Sequence, residues 1–213
     1  MAYAVKEIFY TLQGEGARSG RAAVFCRFAG CNLWSGREED RARAACYFCD
    51  TDFVGTDGVG GGVFRSADAL ADAVLRQWPA ANARPLPHAY VVFTGGEPLL
   101  QLDEPLIEAC HRRGFEVAVE TNGTLPAPMR IDWLTVSPKP NSRLVQRRGS
   151  ELKLVFPHEV HPEDVEHLAF QHFFLQPMDG PRLQANMRLA VEYCQSHPQW
   201  KLSLQIHKLI GIP

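Results

Sequence analysis

The 213 residues, 46% hydrophobic and 22% charged, suit an ordinary globular core and argue against a disordered chain, so one domain over residues 1–213 is expected. A formal net charge of -2, from 22 Lys and Arg against 24 Asp and Glu, argues against a nucleic-acid partner, which a clear basic excess would draw. The start, MAYAVKEIFYTLQGEG, has neither a basic n-region nor a continuous apolar h-region, and no apolar run approaches membrane-spanning length; no membrane association and a cytoplasmic location are expected.

In chain order, apolar, β-branched and aromatic runs predict strands over 22–28, 89–93, 115–119, 133–136, 152–156, 172–175 and 202–206. Between them, spacing near the helical period predicts helices over 66–78 behind a Ser66 cap, 103–113 closed by Gly114, 162–169 and 182–196. Residues 55–62, with glycines at 55, 58, 60, 61 and 62, read as a flexible loop. Strands alternating with helices imply parallel β/α units with right-handed crossovers. A full eight-fold barrel takes about 250 residues and eight helices. Four candidate helices therefore predict an α/β fold of abbreviated, open β/α (partial TIM-type) barrel form.

FAGC, TGGEP, ETNG, SPK and QPMD each follow directly on an apolar run. That is the carboxyl end of a strand, where parallel β/α folds place their sites. Any one of these motifs is equally well explained as a turn, but five together point to a site.

Six cysteines in a reducing compartment read as thiols or metal ligands rather than three disulfides. Cys31 and Cys46 are separated by fourteen residues, and Cys46 and Cys49 by two. Three thiolates would leave one iron of a cubane cluster without a protein ligand, whereas a closed electron-transfer cluster normally takes four. Spacing alone leaves a zinc knuckle and an iron–sulfur cluster comparable. Cys26, Cys110 and Cys194 fall within predicted elements, as small buried hydrophobes do.

These cysteines, the aromatic Phe48 before the third, and Thr94-Gly95-Gly96-Glu97-Pro98 together resemble the radical S-adenosylmethionine superfamily. The usual three-residue first gap is widened here by a charged, mostly helix-forming insert over 32–45. That gap, Leu12-Gln13-Gly14-Glu15-Gly16, Asp50-Thr51-Asp52 and Gln205-Ile206-His207-Lys208 resemble the 7-carboxy-7-deazaguanine synthases over essentially the whole chain.

The resemblance implies a lyase of the queuosine and 7-deazapurine pathway that turns 6-carboxy-5,6,7,8-tetrahydropterin into 7-carboxy-7-deazaguanine with loss of ammonia. It implies a 4Fe-4S cluster on Cys31, Cys46 and Cys49, S-adenosyl-L-methionine, Mg²⁺ on Thr51, a one-electron donor such as flavodoxin or ferredoxin, and a homodimer. For S-adenosylmethionine it points to Phe48, Gly95, Gly96, Glu97, Ser137-Pro138-Lys139 and Gln176-Pro177-Met178-Asp179, with Lys139 on the carboxylate and Glu97 adding charge near the ammonium. For the pterin it points to Leu12, Gln13, Gly14, Glu15, Arg27, Thr94, His207 and Pro213, with Glu120 as the catalytic carboxylate. The substrate's guanidine-like edge wants acceptors such as Glu15 and Gln13, and its carboxylate wants Arg27. A zinc or electron-transfer protein, and an activase that installs a glycyl radical on a partner enzyme, are the competing readings.

Overall fold

A computed structural model describes residues 2–79, 81–82 and 88–213. Among these described residues nine strands form one sheet in the order β3-β1-β2-β4-β5-β6-β7-β8-β9. They are β1 (Tyr3–Leu12), β2 (Ala22–Phe28), β3 (Gly62–Phe64), β4 (Tyr90–Gly95), β5 (Glu116–Thr121), β6 (Trp133–Val136), β7 (Arg148–Phe156), β8 (Ala169–Pro177) and β9 (Trp200–Leu202). From β2 to β9 all neighbours are parallel, while β1 runs antiparallel to both β2 and β3. The sheet does not close, so the abbreviated, open β/α barrel is the fold observed.

The helices are α1 (Ala67–Gln77), α2 (Glu104–Arg112), α3 (Pro162–Val165), α4 (Leu183–Ser196) and α5 (Ile206–Ile210). Ser66 caps α1 by accepting the Ala69 N–H, and Asp103 caps α2 by accepting that of Leu106. Their apolar stripes, Leu70 and Val74 on α1 and Leu106 and Ile107 on α2, pack on the outward residues Val24, Cys26, Phe28, Val91, Phe93, Val117 and Val119. A second cluster under α4 joins Leu152, Leu154, Leu175, Ala190 and Trp200. Cys26 and Cys110 belong to the first core and Cys194 packs against the second, as small hydrophobes.

The opposite face of the sheet places the site. Successive strand residues point to opposite faces, so Ala23, Tyr90, Val92 and Ala118 turn inward and form a small apolar floor with Phe25 and Trp133. Further toward the carboxyl ends, the same inward phase carries Arg27, Thr94, Glu120, Thr135, Lys153 and Gln176.

Several expectations are corrected. β1 was not predicted: a register irregularity between Val5 and Glu7 puts buried Val5 and Ile8 three residues apart, which breaks the period of two. The helix expected over 162–169 is one turn, because Ala169 already pairs in β8. The last strand lies earlier than 202–206, at Trp200–Leu202, and Ile206 begins α5. The glycine-rich loop lies against β1, with Val59 accepting the Ile8 N–H and Gly58 donating to Lys6. The insert over 32–45 carries only a short 3-10 turn, Glu38–Arg43.

Candidate active site

The inward side chains at the carboxyl ends of the strands open on a cavity of about 350 Å³. At its centre Lys153 forms an ion pair with Glu15 and stands 3.9 Å from Glu120 Oε1. Neutral donors hold the two carboxylates. Gln13 Nε2 donates to Glu120 at 3.0 Å and Thr94 Oγ1 at 3.4 Å, while Gln176 and Gln205 donate to Glu15 at 3.2 and 3.0 Å. Burial by itself would raise the Glu15 carboxyl, but the Lys153 charge and hydrogen bond hold it below its ordinary range.

Arg27 faces the same cavity, with Nε 2.7 Å from Glu7 Oε1 and its terminal nitrogens outside that bond. Gly14 and Leu12 line the wall under α5, where Ile206 N–H donates to Gly14 O at 3.0 Å. His207 covers Gly14 so closely that a Cβ there would stand 2.2 Å from its Nδ1. Pro213 also lines the cavity, and its carbonyl accepts from Thr11 Oγ1 at 2.9 Å.

Cys31, Cys46 and Cys49 form one wall of this cavity. The Cys49 N–H closes a turn on Cys46 O, and the Leu33 N–H points at Cys31 Sγ from 3.4 Å. The Cys49 thiol is lowered to about 6, chiefly by the hydrogen bond from Cys46, whose own thiol is raised by that bond and by burial. Among the described residues no three His, Cys, Asp or Glu side chains already stand close enough to hold one metal ion, but three cysteines on one cavity wall supply the thiolates that a cluster held by three cysteines takes.

The insert shapes this wall. Arg41 NH1 donates to the carbonyls of Tyr47 and Cys49, both at 2.9 Å, while its guanidinium lies 4.3 Å over the Trp34 ring. Phe48 stacks on His158 at 5.5 Å and has the Lys139 ammonium 5.7 Å from its ring centre. Burial and that ammonium push His158 down to about 4. Lys139 donates to Ser137 Oγ at 2.7 Å.

Thr51 lines the cavity beside Cys49. Of the acidic residues flanking Thr51, Asp50 is engaged by Lys208 and Asp52 by Lys6. Lys208 also reaches Asp179, so α5 ties the cysteine loop to the end of β8. Gln176, Pro177, Met178 and Asp179 all face the cavity, as do Gly95 and Gly96. Any Cβ on Gly96 would meet Gly30 O at 2.0 Å, so this backbone passes directly against the Cys31 segment.

Two expected site residues, Glu97 and Pro138, are not among those lining this cavity. Glu97 is fully buried outside the cavity lining, and its carboxylate accepts from Thr121 Oγ1 (2.7 Å), Asn122 N–H (2.8 Å) and Leu99 N–H (2.9 Å). These three bonds join the β4 and β5 turns and leave part of the carboxylate's accepting capacity unused. Pro138 lines a separate cavity of about 180 Å³ beside Ser142, Leu144 and Arg147. Sequence reasoning missed Lys153, Gln205, Lys208, Glu7 and Arg41. Gln205 and Lys208 stand in the motif Gln205-Ile206-His207-Lys208, and Lys153 is a lone charge in the apolar run Leu152-Lys153-Leu154-Val155; Glu7 and Arg41 carried no signal.

No known family model matches the chain. A curated relative from Bordetella pertussis, named 7-carboxy-7-deazaguanine synthase, is 66% identical over 214 residues, with 100% of both chains covered. One of the same name from Bradyrhizobium diazoefficiens is 63% identical over 213 residues, again with 100% of both covered. The crystal structure of QueE from Escherichia coli superposes with a TM-score of 0.69 at 26% identity, over 97% of this chain and 95% of that one. Full-length identity at this level, on an open β/α barrel whose three-cysteine wall and carboxylate-centred cavity meet at the strand ends, places the chain in the 7-carboxy-7-deazaguanine synthase family of enzymes.

Proposed function

We propose that this single domain is a radical S-adenosylmethionine carbon–nitrogen lyase that converts 6-carboxy-5,6,7,8-tetrahydropterin to 7-carboxy-7-deazaguanine with loss of ammonia. The observation that carries the reading is the meeting, in one cavity, of three cysteine thiols with a Glu15–Lys153–Glu120 charge group. Cys31, Cys46 and Cys49 are the residues to hold a 4Fe-4S cluster. When bound, the cluster and S-adenosylmethionine supply reductive one-electron chemistry that removes a hydrogen atom from the substrate.

The chain's own groups bind and orient. Lys139, steadied by Ser137, offers a cation to the cofactor carboxylate, while the Gly95 and Gly96 carbonyls are free of a side chain that would bar the ammonium. Glu15 offers acceptors to the amidine edge of the pterin, and the terminal nitrogens of Arg27 meet its carboxylate. Glu120, held by Gln13 and Thr94, sets a proton acceptor at the cavity centre. The Thr51 hydroxyl is a hard oxygen suited to Mg²⁺, whose remaining ligands would be water and substrate oxygens. A flavodoxin or ferredoxin donor, a homodimer and a cytoplasmic location complete the reading.

Anaerobic reconstitution followed by metal and sulfide analysis, then an assay with reductant, S-adenosylmethionine and the pterin read by mass spectrometry, tests it. The expected result is bound iron and sulfide, and a product of the 7-carboxy-7-deazaguanine mass whose formation responds to magnesium, with a weaker response in Thr51→Ala. Tightly bound zinc without iron, or no product from the pterin, overturns the reading.

A further inference from the structure

Lys153 is only 5% exposed, an ammonium enclosed on the inward face of β7. It contacts Glu15 from the β1–β2 turn and stands 3.9 Å from Glu120 at the end of β5. The hydrogen bonds that hold these carboxylates from Gln13, Thr94, Gln176 and Gln205 all come from neutral side chains. Other titratable groups around this cluster, among the described residues, are Glu151, below Lys153 on β7, His207 of α5, beside Glu15, and Tyr90 of β4, on the floor near Glu120. Glu151 is already committed to Thr135 Oγ1 at 2.8 Å and the Ala17 N–H at 2.9 Å.

Glu15 is paired directly with the ammonium, and Glu120 stands 3.9 Å from it. Without the cation, burial and the neighbouring carboxylate would both favour the neutral acid at Glu15. A protonated carboxyl becomes a donor, so the cavity would lose an acceptor where a guanidine-like edge presents N–H groups.

We propose that Lys153 is a positioning residue that keeps Glu15 ionised beside Glu120, and thereby sets the cavity's selection for a ligand edge rich in N–H donors. Direct contact between Lys153 and substrate is not required. Although burial opposes its charge, Lys153 is held above its ordinary range by Glu120 and Glu15, as this arrangement demands. The inference rests on the cavity being the pterin pocket, and its test has one arm that does not use the pterin.

The experiment compares the reconstituted parent with Lys153→Met, which keeps bulk, and Lys153→Arg, which keeps charge. Difference infrared spectra of the ligand-free proteins should show a protonated-carboxyl band near neutral pH in Lys153→Met alone, lost as pH rises. Isothermal titration should then show pterin binding weakened about tenfold or more at about pH 6 in Lys153→Met, with the deficit shrinking toward about pH 9. Lys153→Arg should stay within a few-fold of the parent, and S-adenosylmethionine binding should be unchanged in both. Adding Glu15→Gln to Lys153→Met removes the like-charge pair and should abolish the pH dependence of binding. The inference is overturned if Lys153→Met shows no such band, or if its pterin deficit is absent or the same at every pH. A parent that binds S-adenosylmethionine but not the pterin overturns the pocket reading instead, and leaves the infrared arm to decide the inference.

Discussion

Gly14 and His207 are in such close apposition that a methyl group on Gly14 would lie 2.2 Å from Nδ1 of His207 and 3.0 Å from its Cβ. Because the clash reaches the root of the side chain, a rotation of the ring alone cannot relieve it. Gly14→Ala should displace His207 and loosen the Ile206 N–H bond to Gly14 O, withdrawing α5 from the pocket. A loss equal to one net hydrogen bond, about 1 kcal/mol, would weaken pterin binding roughly fivefold. Titration calorimetry checks this, with S-adenosylmethionine binding expected to stay at the parent value.

Substitution of Cys31, Cys46 or Cys49 by Ala should abolish both cluster retention and cofactor cleavage, since each removes one of three anchors from the same wall. Cys26→Ala should keep both, because Cys26 points into the outward core. Iron content and 5′-deoxyadenosine formation read the difference; equal loss in the two sets would show that the ligands are misassigned.

Arg41 brings two donors to the cysteine loop, at the Tyr47 and Cys49 carbonyls, and is partly shielded by the Trp34 ring. Removing a charged donor leaves those carbonyls to water at about 1.5–3 kcal/mol for a buried bond, and less here because the guanidinium is partly exposed. Arg41→Ala should therefore fold normally but lose iron to a chelator several-fold faster. An unchanged rate of iron loss would show that the loop does not need this clamp.

The Glu15–Lys153 pair gives the fold an acid-sensitive element. The Glu15 carboxyl titrates below its ordinary 4.5 in the folded chain, so its stabilisation is present above that pH and is lost as pH falls through the lower folded value. Glu15→Gln should destabilise the protein by about 3 kcal/mol at neutral pH, as breaking a buried pair does. The difference from the parent should shrink in acid. Thermal melts of both proteins across the acid range check the sign; a gap that grows as pH falls would refute it.

Much of the site was legible because its motifs obey a local rule. Thr94, Glu120, Ser137 and Gln176 each end an apolar run, and the carboxyl end of a parallel strand is where the cavity opens. Glu97 and Pro138, absent from the cavity lining, belong to the same motifs as residues that do line it. Motif membership locates a turn to within a few residues, but the direction of each side chain follows from the turn's dihedral angles. In Glu97 the carboxylate turns back to join the β5 turn through Thr121 and Asn122.

By itself the sequence determined where most strands and the capped helices of the parallel core lie, and that the helices are too few to close the sheet, because apolar periodicity and caps are short-range properties; the choice of Cys31, Cys46 and Cys49 came from the family resemblance, since their spacing fits zinc as well as iron–sulfur. Only the tertiary structure decided the partners of those residues. Lys153 reads as one charge in an apolar strand until β7 is set between β6 and β8, and then meets Glu15, 138 positions away. Lys208 likewise bridges Asp50 and Asp179 across loops that no local rule connects. Pairing between distant buried charges depends on the order and phase of whole strands, and that order is settled by packing the entire sheet at once.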